Sequence, residues 1–219
     1  VSQIDKSLFR DEPQTGGGSP FGAYALAAPS GVGFKDPRGL TTAVSVMIVL
    51  SMLANAAFVL TAALAPTDPT LIGLVAVAVM CITFPQFVML MIWFYRANKN
   101  ARAISNGLET TPGWAVGFFF VPVLSWFRPY LTMSEIWRSA QSPLSWKSLD
   151  DPIILRIWWG CWLAGAIGGM IANFGSNGGL GVLMWIATAF AIVADGITLH
   201  LIRVVAARQW ENKDQSVFD

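Results

Sequence analysis

Asp195 is the side chain whose placement most invites chemistry. It is an acid well inside a long apolar run, about ten residues short of the basic end of that run, where a carboxylate is costly and by default marks function. Arg156 is the basic residue within reach. Folding the last two apolar runs against each other sets Asp195 opposite Trp159, within one turn of Arg156. Two readings follow. Asp195 and Arg156 form an interhelical ion pair, or Asp195 belongs to a proton- or cation-linked site with His200, whose i, i+5 spacing suits a shared face poorly. On the helix that carries Arg156, Gly165 and Gly169 form a G-x-x-x-G, flanked by Gly160 and Gly168. Small residues there let helices approach closely, within one chain or between copies in a homo-oligomer. Cys81 and Cys161 fall in apolar runs and read as small fillers, and Asn55 and Asn173 as interhelical hydrogen-bonders.

Nothing else in the sequence assembles a catalytic group. There is no Ser/His/Asp or Cys/His arrangement, phosphate loop or metal cluster, and a single histidine cannot replace one. We therefore expect no enzyme, cofactor or metal. Apolar types make up 54% of the 219 residues and charged types 12%, with a mean hydropathy of +0.55, which excludes disordered and ordinary soluble classes. Lys and Arg (14) nearly balance Asp and Glu (13), so no nucleic-acid-binding surface follows from charge.

The charge gaps define the elements that must position these residues. Gly39–Thr67 and Pro69–Tyr95 lack charge, and Ile157–Ala194 is uncharged throughout. A span needs about 20 apolar residues. The first two gaps supply spans at 40–64 and 71–95. The third, broken by the turn chemistry of Gly175-Ser-Asn-Gly-Gly179, supplies 152–174 and 180–206. The apolar run Trp114–Phe127 is ambiguous: at about 14 residues it is short for a straight span, and Pro112 before it, Pro122 inside it and Pro129 after it weaken one. If it does not cross, all 14 basic residues share one side, which the positive-inside rule makes cytoplasmic. The expected fold is an all-α integral membrane four-helix bundle (39–209). An inner-leaflet interfacial or re-entrant segment (112–141) lies between spans two and three, both termini are cytoplasmic, and 210–219 is a short tail.

Basic and aromatic residues crowd the cytoplasmic ends. Arg96, Lys99 and Arg102 leave span two directly and are expected to reach lipid headgroups, together with Trp114, Trp126 and Trp137. Beyond Pro129, Tyr130, Met133, Trp137 and Ala140 recur at helical spacing, which predicts a short helix lying in the membrane plane, with Glu135 and Arg138 as an i, i+3 surface pair.

This same stretch carries a likeness. Arg96-Ala97 with Asn100, then Pro112 with Trp114-Ala115-Val116-Gly117 and Pro122, then Pro129, Met133, Glu135 and Trp137-Arg138 form a distinctive series. In these motifs the chain resembles an uncharacterised bacterial multi-pass membrane-protein family, domain-of-unknown-function family 4328. The likeness runs from about Leu71 to Ala206. Gly113, between Pro112 and Trp114, departs from the pattern in a minor way. The resemblance implies the membrane fold and brings no activity.

Residues 1–38 are linker-like, with Gly16-Gly-Gly-Ser-Pro20 and Pro29-Ser-Gly-Val-Gly33. They are no signal peptide, because the apolar run begins late and continues into a full span, and Val1 reads as following a removed initiator Met. Such a segment gains little from one shallow surface, so Ile4, Leu8, Phe9, Phe21, Tyr24 and Phe34 are expected to anchor on partner proteins. The functional expectation is a non-catalytic accessory or assembly subunit of a larger complex in the bacterial inner membrane, in contact with lipids and other membrane subunits. The alternative is a small proton- or cation-linked channel or transporter using Asp195.

Overall fold

The computed structural model describes residues 33–65, 67–175 and 181–213, with side chains 173–175 outside that description. Its main elements are all helical: α1 (Arg38–Leu64), α2 (Pro69–Ile104), α3 (Pro112–Gly117), α4 (Arg128–Gln141), α5 (Ile153–Gly175) and α6 (Val182–Asn212). Helices α1, α2, α5 and α6 are each long and apolar enough to cross a membrane. The protein is an all-α, multi-pass membrane four-helix bundle. Residue 66 and residues 176–180, which join the two helical pairs, and the segments 1–32 and 214–219 lie outside the description, as do the expected anchors Ile4, Leu8, Phe9, Phe21 and Tyr24.

Local chemistry fixes the starts. Asp68 caps α2 by accepting from the Leu71 backbone N–H at 2.9 Å, with Pro69 occupying the first helical position. Thr111 and Pro112 repeat that arrangement on α3, although the Thr111 hydroxyl stands 3.4 Å from the Trp114 nitrogen. Helices α1 and α2 pack as one antiparallel pair and α5 and α6 as another, with α1 lying against α6 to join them. Helices α5 and α6 approach closely at glycines of α5. A Cβ on Gly165 would come within 3.2 Å of the Ala191 nitrogen and 3.3 Å of the Ala187 carbonyl oxygen, and one on Gly168 within 3.2 Å of the Ala187 side chain. Gly160 and Gly169 have open space beside them. The packing pair is thus Gly165 with Gly168, not the G-x-x-x-G of Gly165 and Gly169, because the i, i+3 ridge faces α6.

Two helices run well past the expected span ends. Span two was expected to stop at 95 and span four at 206; α2 continues to Ile104 and α6 to Asn212. At 1.5 Å per residue α2 is ~54 Å long, against a hydrocarbon core of ~30 Å. The run Arg96, Lys99, Arg102 marks where apolar character ends, while the helix itself carries on. Around these projecting ends α4 packs against both α2 and α6, and the main core sits there: Ile48, Trp93, Phe94, Met133, Ile136, Leu155, Trp158 and Leu201 are all essentially buried.

The polar side of α4 is not left to solvent, as a surface amphipathic helix would leave it. Thr132, Ser134, Glu135 and Ser139 are buried alongside Met133, Ile136 and Ala140, because the ends of α2 and α6 cover α4 and its polar side finds partners inside the protein. Ahead of α4, the run Trp114–Phe127 does not cross. It breaks into α3 and two single turns, Phe118–Phe120 and Leu124–Trp126. Its ring cluster dips along α2: Phe119 and Phe120 stand 6.2 and 6.3 Å from Phe87, and Phe119 also meets Trp162 of α5. Phe87 precedes Arg96 by nine residues, ~13 Å along the axis, so the hairpin folds back along the apolar part of α2 and touches α5.

Candidate functional site

Asp195 sits on α6 eight residues before Arg203, ~12 Å along the helix axis. Its carboxylate accepts a hydrogen bond from the Gln86 side-chain amide at 3.1 Å. Gln86 is buried on α2 directly after Pro85, the proline inside that helix. The expected pair with Arg156 is not formed. Arg156 is on the exposed side of α5 and interacts with the Tyr130 hydroxyl. The parallel register of α2 and α6, seen also where Gln209 bonds Ala97 at 2.9 Å, is what brings Gln86 rather than Arg156 to Asp195. His200 is exposed, so it shares no site with Asp195. Gln86 was legible in principle as an amide inside an otherwise apolar run, yet amides carry no charge and a search for ionisable pairs passes over them.

Several neighbouring polar side chains of the bundle pair across helices. Trp93 donates its indole N–H to the Thr41 hydroxyl at 3.0 Å, Trp158 donates to Thr198 at 2.8 Å, and Arg203 reaches Ser45 at 3.3 Å. Asn55 bonds within its own helix, to the Ser51 carbonyl. The side chain of Asn173 lies outside the described residues. A cavity of about 10 Å³ lies between α1 and α6, lined by Phe58, Val59, Ala62, Met184, Trp185 and Thr188. It is apolar, and Thr188 precedes Asp195 by about two turns.

At the basic end a second polar assembly closes the fold. Arg102 was expected at the headgroups, but its guanidinium turns inward and holds the Leu108 and Thr110 carbonyls at 2.8–3.0 Å. Glu135 accepts from the Thr110 backbone N–H at 3.1 Å, so one loop residue is gripped from both sides. The loop can do this because Gly107 takes φ +73°, open to glycine at little cost. Arg138 pairs with Asp151 at 3.4 Å rather than with Glu135, and Asp151 also accepts from Tyr130 at 2.8 Å and from Ser134. Burial, and then the adjacent Asp151, push the Tyr130 hydroxyl pKa upward. The expected surface pair Glu135–Arg138 is therefore replaced by two separate inward contacts, because α4 is covered on that face.

Of the remaining headgroup candidates, Lys99, Trp114 and Trp126 are exposed, whereas Arg96 and Trp137 are half-buried and Trp137 packs on the core. Four further tryptophans use their N–H groups inside the protein, among them Trp146 to the Asn106 carbonyl and Trp159 to the Trp126 carbonyl, both at 2.9 Å. Asn100, fully buried, pairs with the backbone of Lys35 through both its oxygen (3.0 Å) and its nitrogen (2.8 Å). Arg38 and Lys213 lie against the Trp210 ring at 3.8 and 3.4 Å. The chain just before α1, including half-buried Phe34, is thus held close to its own basic end.

The model of DUF4328, a domain of unknown function, matches residues 59–207. The chain belongs to this family. No curated protein and no solved structure matches it. The match to DUF4328 takes in the last six residues of α1, α2 to α5 and α6 as far as residue 207, and leaves residues 1–58 outside. The family-like residues Arg96, Asn100, Trp114, Glu135 and Arg138 all fall in the basic-end assembly or on its rim. In this DUF4328 protein three of them, Asn100, Glu135 and Arg138, make contacts that hold the basic-end assembly together.

Proposed function

We propose that this DUF4328 protein is a non-catalytic accessory or assembly subunit of a larger membrane-protein complex in the bacterial inner membrane, with both termini in the cytoplasm. The observation that carries this reading is the bareness of α2 between Pro69 and Pro85. None of its residues there is buried, whereas the other three long helices each bury small residues in their outer halves, such as Ser51, Ala172 and Ala187. An apolar face built on a rigid, capped bundle suits lateral packing against another membrane protein. Placing the basic end in the cytoplasm follows from the positive-inside bias, since Arg96, Lys99, Arg128, Lys147 and Arg208 all belong to it. A photo-crosslinking residue at Val77, on the bare face, should yield discrete protein adducts in cells. Adducts to lipid alone would defeat the reading.

A second reading has its own support. Asp195 has a neutral partner in Gln86 and no ion pair, so its charge is uncompensated at depth. Such a carboxylate suits a proton- or cation-linked channel or transporter. In liposomes, pH-gradient-driven flux abolished by Asp195→Asn would favour this class. Absence of flux in the intact protein would remove it.

A further inference from the structure

Among the described residues Arg128 is a cation without an anion. It opens α4 at the root of the hairpin, and its Nε is buried with no hydrogen-bond partner. Among the described residues the ion pairs are Arg38–Asp36, Arg138–Asp151 and Arg208–Glu211, and none involves Arg128. Its guanidinium stands 5.3 Å from the Phe118 ring and 6.0 Å from the Phe127 ring. Ring faces attract the charge but accept none of the in-plane N–H bonds a guanidinium offers. Its register on α4 points the same way. Glu135 lies two turns on along the same face and is already committed to the Thr110 N–H, so it does not serve Arg128.

The surroundings state what would complete the site. Beyond Arg128 the hairpin is apolar and open: Phe120 is 67% and Val123 74% exposed, at a depth set by the Phe87 contacts. In the same segment Trp114 and Trp126 are 52% and 60% exposed, whereas the buried tryptophans all use their N–H groups internally. A fork-shaped cation at the root of a hairpin that carries open indoles and open apolar side chains, with Trp114 stacked on the same Phe118 ring that Arg128 faces, complements a molecule with a phosphate at one end and hydrocarbon at the other. We propose that Arg128 binds the phosphate of an anionic phospholipid whose chains lie along the Phe120–Val123 hairpin. This site differs from the run Arg96, Lys99, Arg102, of which Arg102 is consumed inside the fold.

The test uses the full chain in mild detergent, with titrations of phosphatidylglycerol, phosphatidylcholine and inorganic phosphate followed by native mass spectrometry and thermal shift. Phosphatidylglycerol should bind at one saturable site, about tenfold more weakly in Arg128→Gln and unchanged in Lys99→Gln. If Arg128→Gln fails to fold, Arg128→Lys, which keeps the charge but loses the fork, should weaken binding about threefold. Either Arg128 variant binding phosphatidylglycerol as tightly as the parent overturns the proposal. So does inorganic phosphate that saturates the site and displaces the lipid, which would assign Arg128 to a free anion.

Discussion

The two ends of the bundle are built on opposite principles. At the basic end, α2 and α6 outrun the apolar spans, and α4 with the neighbouring loops closes over them, burying Met133, Ile136, Asn100 and Gln209 completely or nearly so. At the other end the same helices carry almost nothing inward. Contacts narrow to small residues such as Ala187 and Ala194, and α2 buries none of its first seventeen residues. The difference follows from the solvent each end faces. In water, burying apolar area stabilises a fold at roughly 25 cal/mol per Å². Between lipid chains that driving force is missing, and close approach of small residues must serve instead. Stability is therefore expected to be concentrated in the cap, and the apolar half is left free to meet lipid or protein.

The sharpest way to break this contrast is to cut a cavity in the cap. Ile136 is fully buried in the main core, so Ile136→Ala should destabilise the protein by about 2–5 kcal/mol. Denaturant unfolding in mixed micelles, followed through tryptophan fluorescence, would measure it. A loss below 1 kcal/mol would mean that the cap is not the stable part.

The outer half has one place where it too should be sensitive. Gly165 already lies against the Ala187 and Ala191 backbone, which cannot retreat without parting α5 from α6. Gly165→Val should cost about 1–3 kcal/mol, while Gly169→Val, beside open space, should be close to neutral. Equal effects at the two positions would restore the G-x-x-x-G face as the packing surface.

Much of this division was readable beforehand, and the misses share one cause. Charge gaps located four spans, and the one-sided placement of the basic residues, with the prolines in and around Trp114–Phe127, argued against a fifth. What could not be read was which side chains turn inward at the basic end. Arg102, Glu135 and Arg138 look like solvated or headgroup-facing charges on any helical wheel; only the fold-back of Thr110 and Asp151 gives them internal partners. Asp195 was found, but its partner was sought among cations. The register of α2 against α6, a long-range property, selected Gln86.

Tyr130 sharpens the comparison by tying the cap to pH. Its hydroxyl bonds Asp151, which joins α4 to the start of α5, and its pKa in the folded protein lies above the ordinary value. A raised pKa favours the protonated phenol in the fold. The contribution is therefore complete below about pH 10 and is lost as the pH rises through the higher folded value. Tyr130→Phe should cost about 1 kcal/mol at pH 8, and the gap to the parent protein should close in melts taken at increasingly alkaline pH. A gap that stays constant up to pH 11 would show that the bond to Asp151 is not what stabilises.

The smallest effect is expected on the bare face, and it separates lipid from protein as its cover. Leu74 is 66% exposed on α2, so Leu74→Ala removes few contacts within the chain and should change the stability of the isolated protein by less than about 0.5 kcal/mol. Set beside Ile136→Ala, this is a comparable loss of apolar volume at the opposite end, with an expected effect several-fold smaller. The same substitution made in cells asks a different question. Lipid adapts to a missing side chain, so a face covered by lipid should tolerate Leu74→Ala without change in abundance. A face packed against another protein leaves a fixed hole, and co-purification of that partner should fall while the purified protein melts unchanged. A large loss in the isolated protein would instead mean that α2 is packed within the chain, and the contrast between the two ends would collapse.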